Sequence, residues 1–110
     1  MRFSQWASVA AFMLVPGGAL AAEDLPGNPA AGKEFALGVC AECHVVAEDQ
    51  GTWPLSDAPP FRDVANEPGM TELALRAFLQ TPHRTMPNIL LTPEETDNVI
   101  AYILSLKLPD

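Results

Sequence analysis

Two cysteines and a histidine are grouped within five consecutive residues of this chain. The segment reads Cys40-Ala41-Glu42-Cys43-His44, and it contains both cysteines of the sequence. A C-x-x-C-H arrangement is typical of covalent c-type haem attachment. Two thiols at this spacing can form thioethers to the two vinyl groups of the macrocycle, and the imidazole that follows can reach the iron. The motif therefore predicts one haem c, bound through Cys40 and Cys43, with His44 as an iron ligand.

Other sites built from cysteine and histidine fit this segment less well. A thioredoxin-like dithiol needs a strand–helix–strand setting, which the sequence pattern lacks. A disulfide between Cys40 and Cys43 would close too small a loop to stabilise the fold much. A zinc ion needs four ligands, and the adjacent Cys43 and His44 cannot easily share one tetrahedral site with Cys40 and the distant His83. The haem interpretation is therefore favoured.

The second axial ligand is expected from a loop on the other side of the iron. Met86 is the best candidate, because thioether ligation is common in haem proteins of this kind and Met86 lies between two predicted helices. Met70 is a weaker candidate, since it directly precedes a helix and leaves only 26 residues after His44 to wrap the haem. His83 is the other alternative and would give bis-histidine ligation, although a solvated or hydrogen-bonded histidine is the more common finding.

The N-terminal residues have the pattern of an export signal. Arg2 is the only charge before an apolar run over residues 6–15, helix breakers follow at 16–18, and residues 19–21 supply a small-x-small cleavage site. The apolar run is well short of the ~20 residues that span a bilayer. The pattern predicts a signal peptide over residues 1–21, a mature domain over residues 22–110, a periplasmic location and no stable membrane span after cleavage.

Length and charge narrow the function classes further. A chain of 110 residues suits one small domain and excludes a large multi-domain enzyme. With 14 acidic residues against 6 basic ones, the formal charge is -8. Recognition of nucleic acid relies on clustered Lys and Arg, so no nucleic-acid partner is expected. The composition instead predicts partners with basic or neutral surfaces.

Three segments carry helix signals that would position these residues. Asn28 and Pro29 suit an N-cap followed by the first helical position, and a mostly apolar stretch continues to Val39. Apolar residues recur at helical spacing over residues 71–80, and Thr81-Pro82 ends that pattern. Residues 92–95, Thr-Pro-Glu-Glu, form a capping box before a last apolar face that extends to Leu106. The sequence predicts an all-α domain.

The segment between the first two helices has a different composition. Residues 45–70 are rich in Pro, Gly, Asp and Ala, which predicts one long loop. A structureless segment of this length is unusual in a compact domain unless it wraps a functional site. Trp53 and Arg62 lie in it, and either an indole N–H or a guanidinium could offset the cost of burying a haem propionate.

Several motifs together resemble the small class I cytochromes c of bacteria. They are Cys40-x-x-Cys43-His44, Ala58-Pro59-Pro60-Phe61, Met86-Pro87, and residues 91–95 leading into Ile100-Ala101-Tyr102-Ile103. The resemblance covers essentially the whole mature chain. It implies the class I cytochrome c fold, with three main helices and loops around one covalently bound haem.

The resemblance also implies roles for individual residues. In this family a proline carbonyl accepts the N–H of the iron-bound imidazole, and Pro59 is similar to that proline, with Pro60 as the alternative. Ala58 stands where the family usually has glycine. The crossing of the first and last helices in such proteins implies a contact among Gly32, Phe35 and Tyr102.

Two functions are consistent with these residues. In the first, His44 and Met86 saturate the iron, and the protein passes single electrons between redox partner proteins without catalysis of its own. In the second, Met86 is absent from the iron or easily displaced, which would make the protein a haem-based gas sensor or a peroxidase-like enzyme. The segment His83-Arg84 is the one distal acid–base pair that the sequence offers for the second function. Met86-Pro87 favours the electron carrier.

Overall fold

The computed structural model describes residues 25–82, 85–87 and 89–110. Within these residues the chain forms α1 (Pro29–Val39), a short 3-10 turn (Cys40–Glu42), α2 (Phe61–Asn66), α3 (Glu72–Leu79) and α4 (Pro93–Ser105). The described residues contain no strand, so the all-α prediction is confirmed. None of the described helices is long and apolar enough to cross a membrane. The predicted signal peptide, residues 1–21, lies outside the described residues.

The three predicted helices begin where their capping residues stand. The Asn28 side chain accepts hydrogen bonds from the backbone N–H groups of Ala30 and Ala31 at the start of α1. Thr92 and Glu95 form the predicted capping box at the start of α4. Thr71 caps α3 in the same way, through a hydrogen bond from the backbone N–H of Ala74. These side chains satisfy backbone donors that a helix start leaves unpaired.

Helix α2 is additional to the three predicted helices, and it corrects the prediction of a continuous loop over residues 45–70. It has only six residues, too few to show a helical periodicity in the sequence. Its stability comes from tertiary packing, because Phe61 and Ala65 are both buried in the core. The backbone N–H of Phe61 also donates to the carbonyl oxygen of Val45, 2.9 Å away. This contact ties α2 to the residue that follows the C-x-x-C-H motif.

Helices α1 and α4 cross at Gly32. A Cβ added at Gly32 would lie 1.9 Å from the carbonyl oxygen of Asn98 and 2.9 Å from the Cβ of Tyr102. Only glycine permits this approach between the two backbones. The implied contact of Gly32 with Tyr102 is therefore present, and the buried Ala36 packs one turn further along α1.

Helix α3 is held against α4 by an ion pair as well as by apolar packing. The Arg76 guanidinium donates to Glu72 on its own helix at 2.8 Å and to Asp97 on α4 at 2.7 Å. These two hydrogen bonds raise the pKa of the guanidinium, which stays charged. Leu75 on the same helix is buried in the core with Val99 and Ile103. The packing of α3 on α4 builds one wall of the site described next.

Candidate functional site

The two cysteines and the histidine lie where α1 ends. Val39 is the last residue of the α-helix, and the chain tightens into the 3-10 turn over Cys40–Glu42. The backbone N–H groups of Cys43 and His44 both donate to the carbonyl oxygen of Cys40, at 3.1 Å and 2.9 Å. The Cys40 side chain is partly buried, whereas Cys43 is exposed. The turn thus presents two thiols and one imidazole on a short, hydrogen-bonded segment.

The His44 ring is oriented by a backbone carbonyl. Its Nδ1 lies 2.7 Å from the carbonyl oxygen of Pro59. A carbonyl oxygen can only accept, so the proton of the neutral ring sits on Nδ1 and Nε2 keeps a free lone pair. The Phe61 ring lies beside the imidazole, with ring centroids 5.3 Å apart and an angle of 58° between the planes. This is the arrangement that suits Nε2 as a metal ligand.

Pro59 and Pro60 are distinguished by what their carbonyl groups contact. The Pro60 carbonyl oxygen accepts from the backbone N–H groups of Asp63 and Val64 in the first turn of α2, while that of Pro59 faces His44.

An apolar cavity opens beside His44 and Cys40. The space between its walls, counted together with its open mouth, is about 720 Å³. Its walls come from α1, α2, α3, α4 and the loop before α4. Besides Cys40 and His44, the lining residues are Phe35, Val39, Phe61, Val64, Leu75, Phe78, Leu79, Thr81, Met86, Pro87, Ile89, Leu91, Val99 and Ile103.

The donor set and the cavity fit a covalently held haem. Burial raises the pKa of the Cys40 thiol to about 11, so its surroundings disfavour a thiolate. A thioether carries no charge and suits such surroundings. The apolar walls suit the faces of a macrocycle, and the Cys40 thiol and the His44 imidazole both line the cavity. Cys40, Cys43 and His44 are thus the residues that could hold the group.

The two methionines that are candidate iron ligands have different surroundings. Met86 lines the cavity that His44 also lines. Met70 packs against the hydrophobic core, and its carbonyl oxygen accepts a hydrogen bond from Lys107. Met70 does not line the cavity. The alternative ligand His83, and Arg84 beside it, lie outside the described residues.

Trp53 and Arg62 do not line this cavity, and their expected role beside a propionate stays a prediction. Both line a second groove, more open to solvent, that also includes Tyr102 and Leu108. Arg62 forms an ion pair there with Glu48, and Trp53 is 66% exposed. Their positions depend on how the 45–60 segment folds back on α4, which the sequence pattern did not show.

Sequence reasoning also missed Gln50. Its half-buried side chain forms hydrogen bonds with the backbone of His44, the last residue of the C-x-x-C-H motif, and of three residues that follow it. A glutamine in a polar loop has no distinguishing neighbours in the sequence, so no signal could have singled it out.

Comparison with known proteins identifies the family. Residues 29–107 match the cytochrome c family. The chain is also 40% identical over 76 residues to "Cytochrome c-552" of Bradyrhizobium diazoefficiens, and the match covers 69% of this chain and 72% of that protein. The chain belongs to the cytochrome c family. The resemblance inferred from the motifs is therefore confirmed.

Membership in the family establishes the cofactor and the general activity. The protein carries haem c with its iron, attached covalently through the C-x-x-C pair Cys40 and Cys43. It is a haem-based electron carrier that works with redox protein partners.

Proposed function

We propose that this protein is a periplasmic one-electron carrier in which His44 and Met86 are the axial ligands of the haem iron. The observation that carries the proposal is that both side chains line one apolar cavity, with Nδ1 of His44 bonded to the Pro59 carbonyl. An imidazole nitrogen and a thioether would together complete the coordination of the iron. No position is then left for a substrate, and the protein has no catalytic activity of its own.

Haem c supplies a metal centre that gains and loses one electron. The residues around the cavity attach this group, orient its ligand and exclude water. Thioethers from Cys40 and Cys43 hold the group permanently, and the Pro59 carbonyl keeps the His44 ring in one tautomer and one orientation. The apolar walls exclude water, and the resulting low dielectric disfavours the more highly charged oxidation state.

The proposal includes export. The N-terminal pattern of one positive charge, a short apolar run and small residues at 19–21 supports removal of residues 1–21 and a mature domain over residues 22–110. Mass spectrometry of the haem-loaded protein from a periplasmic fraction tests this. We expect a chain that begins at residue 22, whereas a full-length chain in the membrane fraction would contradict the proposal.

The electron-transfer partners are proposed to have basic or neutral docking surfaces. Each of the four basic side chains in the described residues already has a partner: Lys33 with Asp49, Arg62 with Glu48, Arg76 with Glu72 and Asp97, and Lys107 with the Met70 carbonyl. In contrast, Glu42 is exposed between the two cysteines, and no described Lys or Arg forms an ion pair with it. Among the described residues, the Glu42 carboxylate is thus an unpaired negative charge directly beside Cys43.

Carbon monoxide binding to the reduced protein tests the ligand set. We expect no spectral change in the unmodified protein, because Met86 holds the sixth position. Met86→Ala should bind carbon monoxide within seconds, since the open position then accepts a small ligand. Met70→Leu is the matched control and should behave like the unmodified protein, because Met70 packs on the core away from the cavity.

Rapid binding of carbon monoxide by the unmodified protein would contradict methionine ligation. It would favour the alternative of a gas sensor or peroxidase-like enzyme with a labile sixth ligand. If Met70→Leu opened the site and Met86→Ala did not, the sixth ligand would be Met70 and the proposed role of Met86 would be wrong.

A further inference from the structure

The Gln50 side chain binds the backbone on both sides of the turn that follows His44. Its Oε1 accepts hydrogen bonds from the backbone N–H groups of Val46 at 2.6 Å and Ala47 at 3.1 Å. Its Nε2 donates to the carbonyl oxygens of Thr52 at 3.0 Å and His44 at 3.4 Å. The orientation of the amide is determined by these partners, because two N–H donors require an oxygen and two carbonyls require the NH₂ group.

These contacts fix the backbone of His44 from its carbonyl side. The backbone N–H of His44 already donates to the Cys40 carbonyl. The Gln50 amide holds the His44 carbonyl and the two residues that follow it in place. Together the two contacts leave the His44 backbone little freedom to rotate.

The same amide anchors the segment that carries the acceptor of the His44 ring. Thr52, whose carbonyl accepts from Gln50, begins the stretch that leads to Pro59. The stretch ends at Phe61, whose N–H bonds to the Val45 carbonyl. Gln50 therefore lies at the point where the chain leaving His44 turns back toward Pro59. It contacts both arms of this loop, residues 44–47 before the turn and Thr52 after it.

We propose that Gln50 is a positioning residue for the hydrogen bond between His44 and Pro59 and, through that bond, sets the reduction potential of the protein. The proposal rests on the proposed ligation of iron by His44. A hydrogen bond from Nδ1 to a carbonyl makes the opposite ring nitrogen a stronger donor, which favours the ferric state. Loosening that bond weakens the donor and raises the potential.

Three variants of the haem-loaded protein test the role of Gln50. Gln50→Met keeps the length of the side chain and removes all four hydrogen bonds. Gln50→Glu keeps acceptors for Val46 and Ala47 but cannot donate to His44 and Thr52. Thr52→Ala is the matched control, because Gln50 bonds the backbone of Thr52 and not its exposed side chain.

The direct measurement is the exchange rate of the His44 ring Nδ1–H in the reduced protein, followed by NMR, together with the midpoint potential. We expect exchange to be about tenfold faster in Gln50→Met, with a higher potential, and intermediate in Gln50→Glu. The added charge of Gln50→Glu lowers the potential by itself, so exchange is the deciding measurement for that variant. Thr52→Ala should match the unmodified protein in both.

Unchanged exchange and potential in Gln50→Met would overturn the proposal, even if the variant unfolds more easily, because the role would then be structural only. If Gln50→Met does not mature, unchanged exchange in Gln50→Glu overturns it instead. Failure of the proposed function is visible separately in the unmodified protein. Carbon monoxide binding by the unmodified protein would contradict ligation by Met86. The absence of a protected His44 ring proton would contradict the hydrogen bond from His44 to Pro59.

Discussion

Gly32 of α1 and the Asn98 carbonyl of α4 are so close that a Cβ at Gly32 would lie 1.9 Å from that oxygen. Gly32→Ala must therefore push the two helices apart. We expect it to destabilise the haem-loaded protein by about 3 kcal/mol, as overpacking against backbone does. Guanidinium unfolding followed by far-UV circular dichroism measures this change.

Gly38 provides the matched control on the same helix. A Cβ at Gly38 would meet nothing within 4 Å. Gly38→Ala should leave the stability unchanged or raise it by up to about 1 kcal/mol, because alanine has the better helix propensity. Equal destabilisation by the two substitutions would show that the close crossing is not what requires glycine at position 32.

The ion pair between Arg76 and Asp97 should contribute measurably to stability, because it is partly shielded from solvent. Their side chains are 28% and 30% exposed. Arg76→Met leaves both Asp97 and Glu72 without this partner, and we expect a loss of about 1–2 kcal/mol in the free energy of unfolding. Arg62→Met is the control, since its pair with Glu48 is largely exposed and such pairs contribute about 0–1 kcal/mol. Losses of the same size in both variants would contradict this argument.

Tyr102 should make the stability fall at high pH. Its hydroxyl donates to the carbonyl oxygen of Val46, and burial raises its pKa above the ordinary value of 10.0. Above pH 10 the unfolded chain releases this proton while the native protein keeps it. The contribution to stability is therefore complete below pH 10 and falls by about 1.4 kcal/mol per pH unit until the native hydroxyl ionises.

Comparison with Tyr102→Phe isolates this effect. The variant should be less stable by about 1 kcal/mol at pH 7, because the Val46 carbonyl loses its hydrogen bond, and it should lack the additional loss above pH 10. Tyr102 is the single tyrosine of the chain, so its ionisation can also be followed by ultraviolet absorbance. Identical pH profiles for the two proteins would exclude Tyr102 as the cause.

Salt should slow electron transfer to a cationic partner. The chain has a formal charge of -8, and the described basic side chains are already bonded. We expect the second-order rate with a basic redox protein to fall about tenfold between low and high ionic strength. Stopped-flow measurements check this, with an uncharged reductant as the control. A rate that rises with salt would show that the docking surface is not acidic.

Substitution of Glu42 tests whether the basic partner docks near the C-x-x-C-H motif. Glu42→Gln should reduce the low-salt rate with the basic partner and leave the rate at high salt unchanged, because the carboxylate lies exposed between the two cysteines. No change at low salt would place the contact elsewhere on the protein.

Much of the helical framework could be predicted because its signals are local. Asn28-Pro29, Thr71 and the Thr92–Glu95 box each satisfy backbone donors within a few residues, so they specify where helices begin. Helix α2 was missed for the opposite reason. Its six residues have little propensity to be helical alone, and the burial of Phe61 and Ala65 stabilises it.

The sequence by itself determined the attachment chemistry, because Cys40, Cys43 and His44 are neighbours along the chain and need no long-range contact to be recognised. Only the tertiary structure decided which proline carbonyl faces His44, that Trp53 and Arg62 line a separate groove, and that Gln50 bridges the two arms of the loop. Those positions depend on how a proline-rich segment folds back on α4. Such a path follows from packing among residues far apart in sequence, which no local pattern encodes.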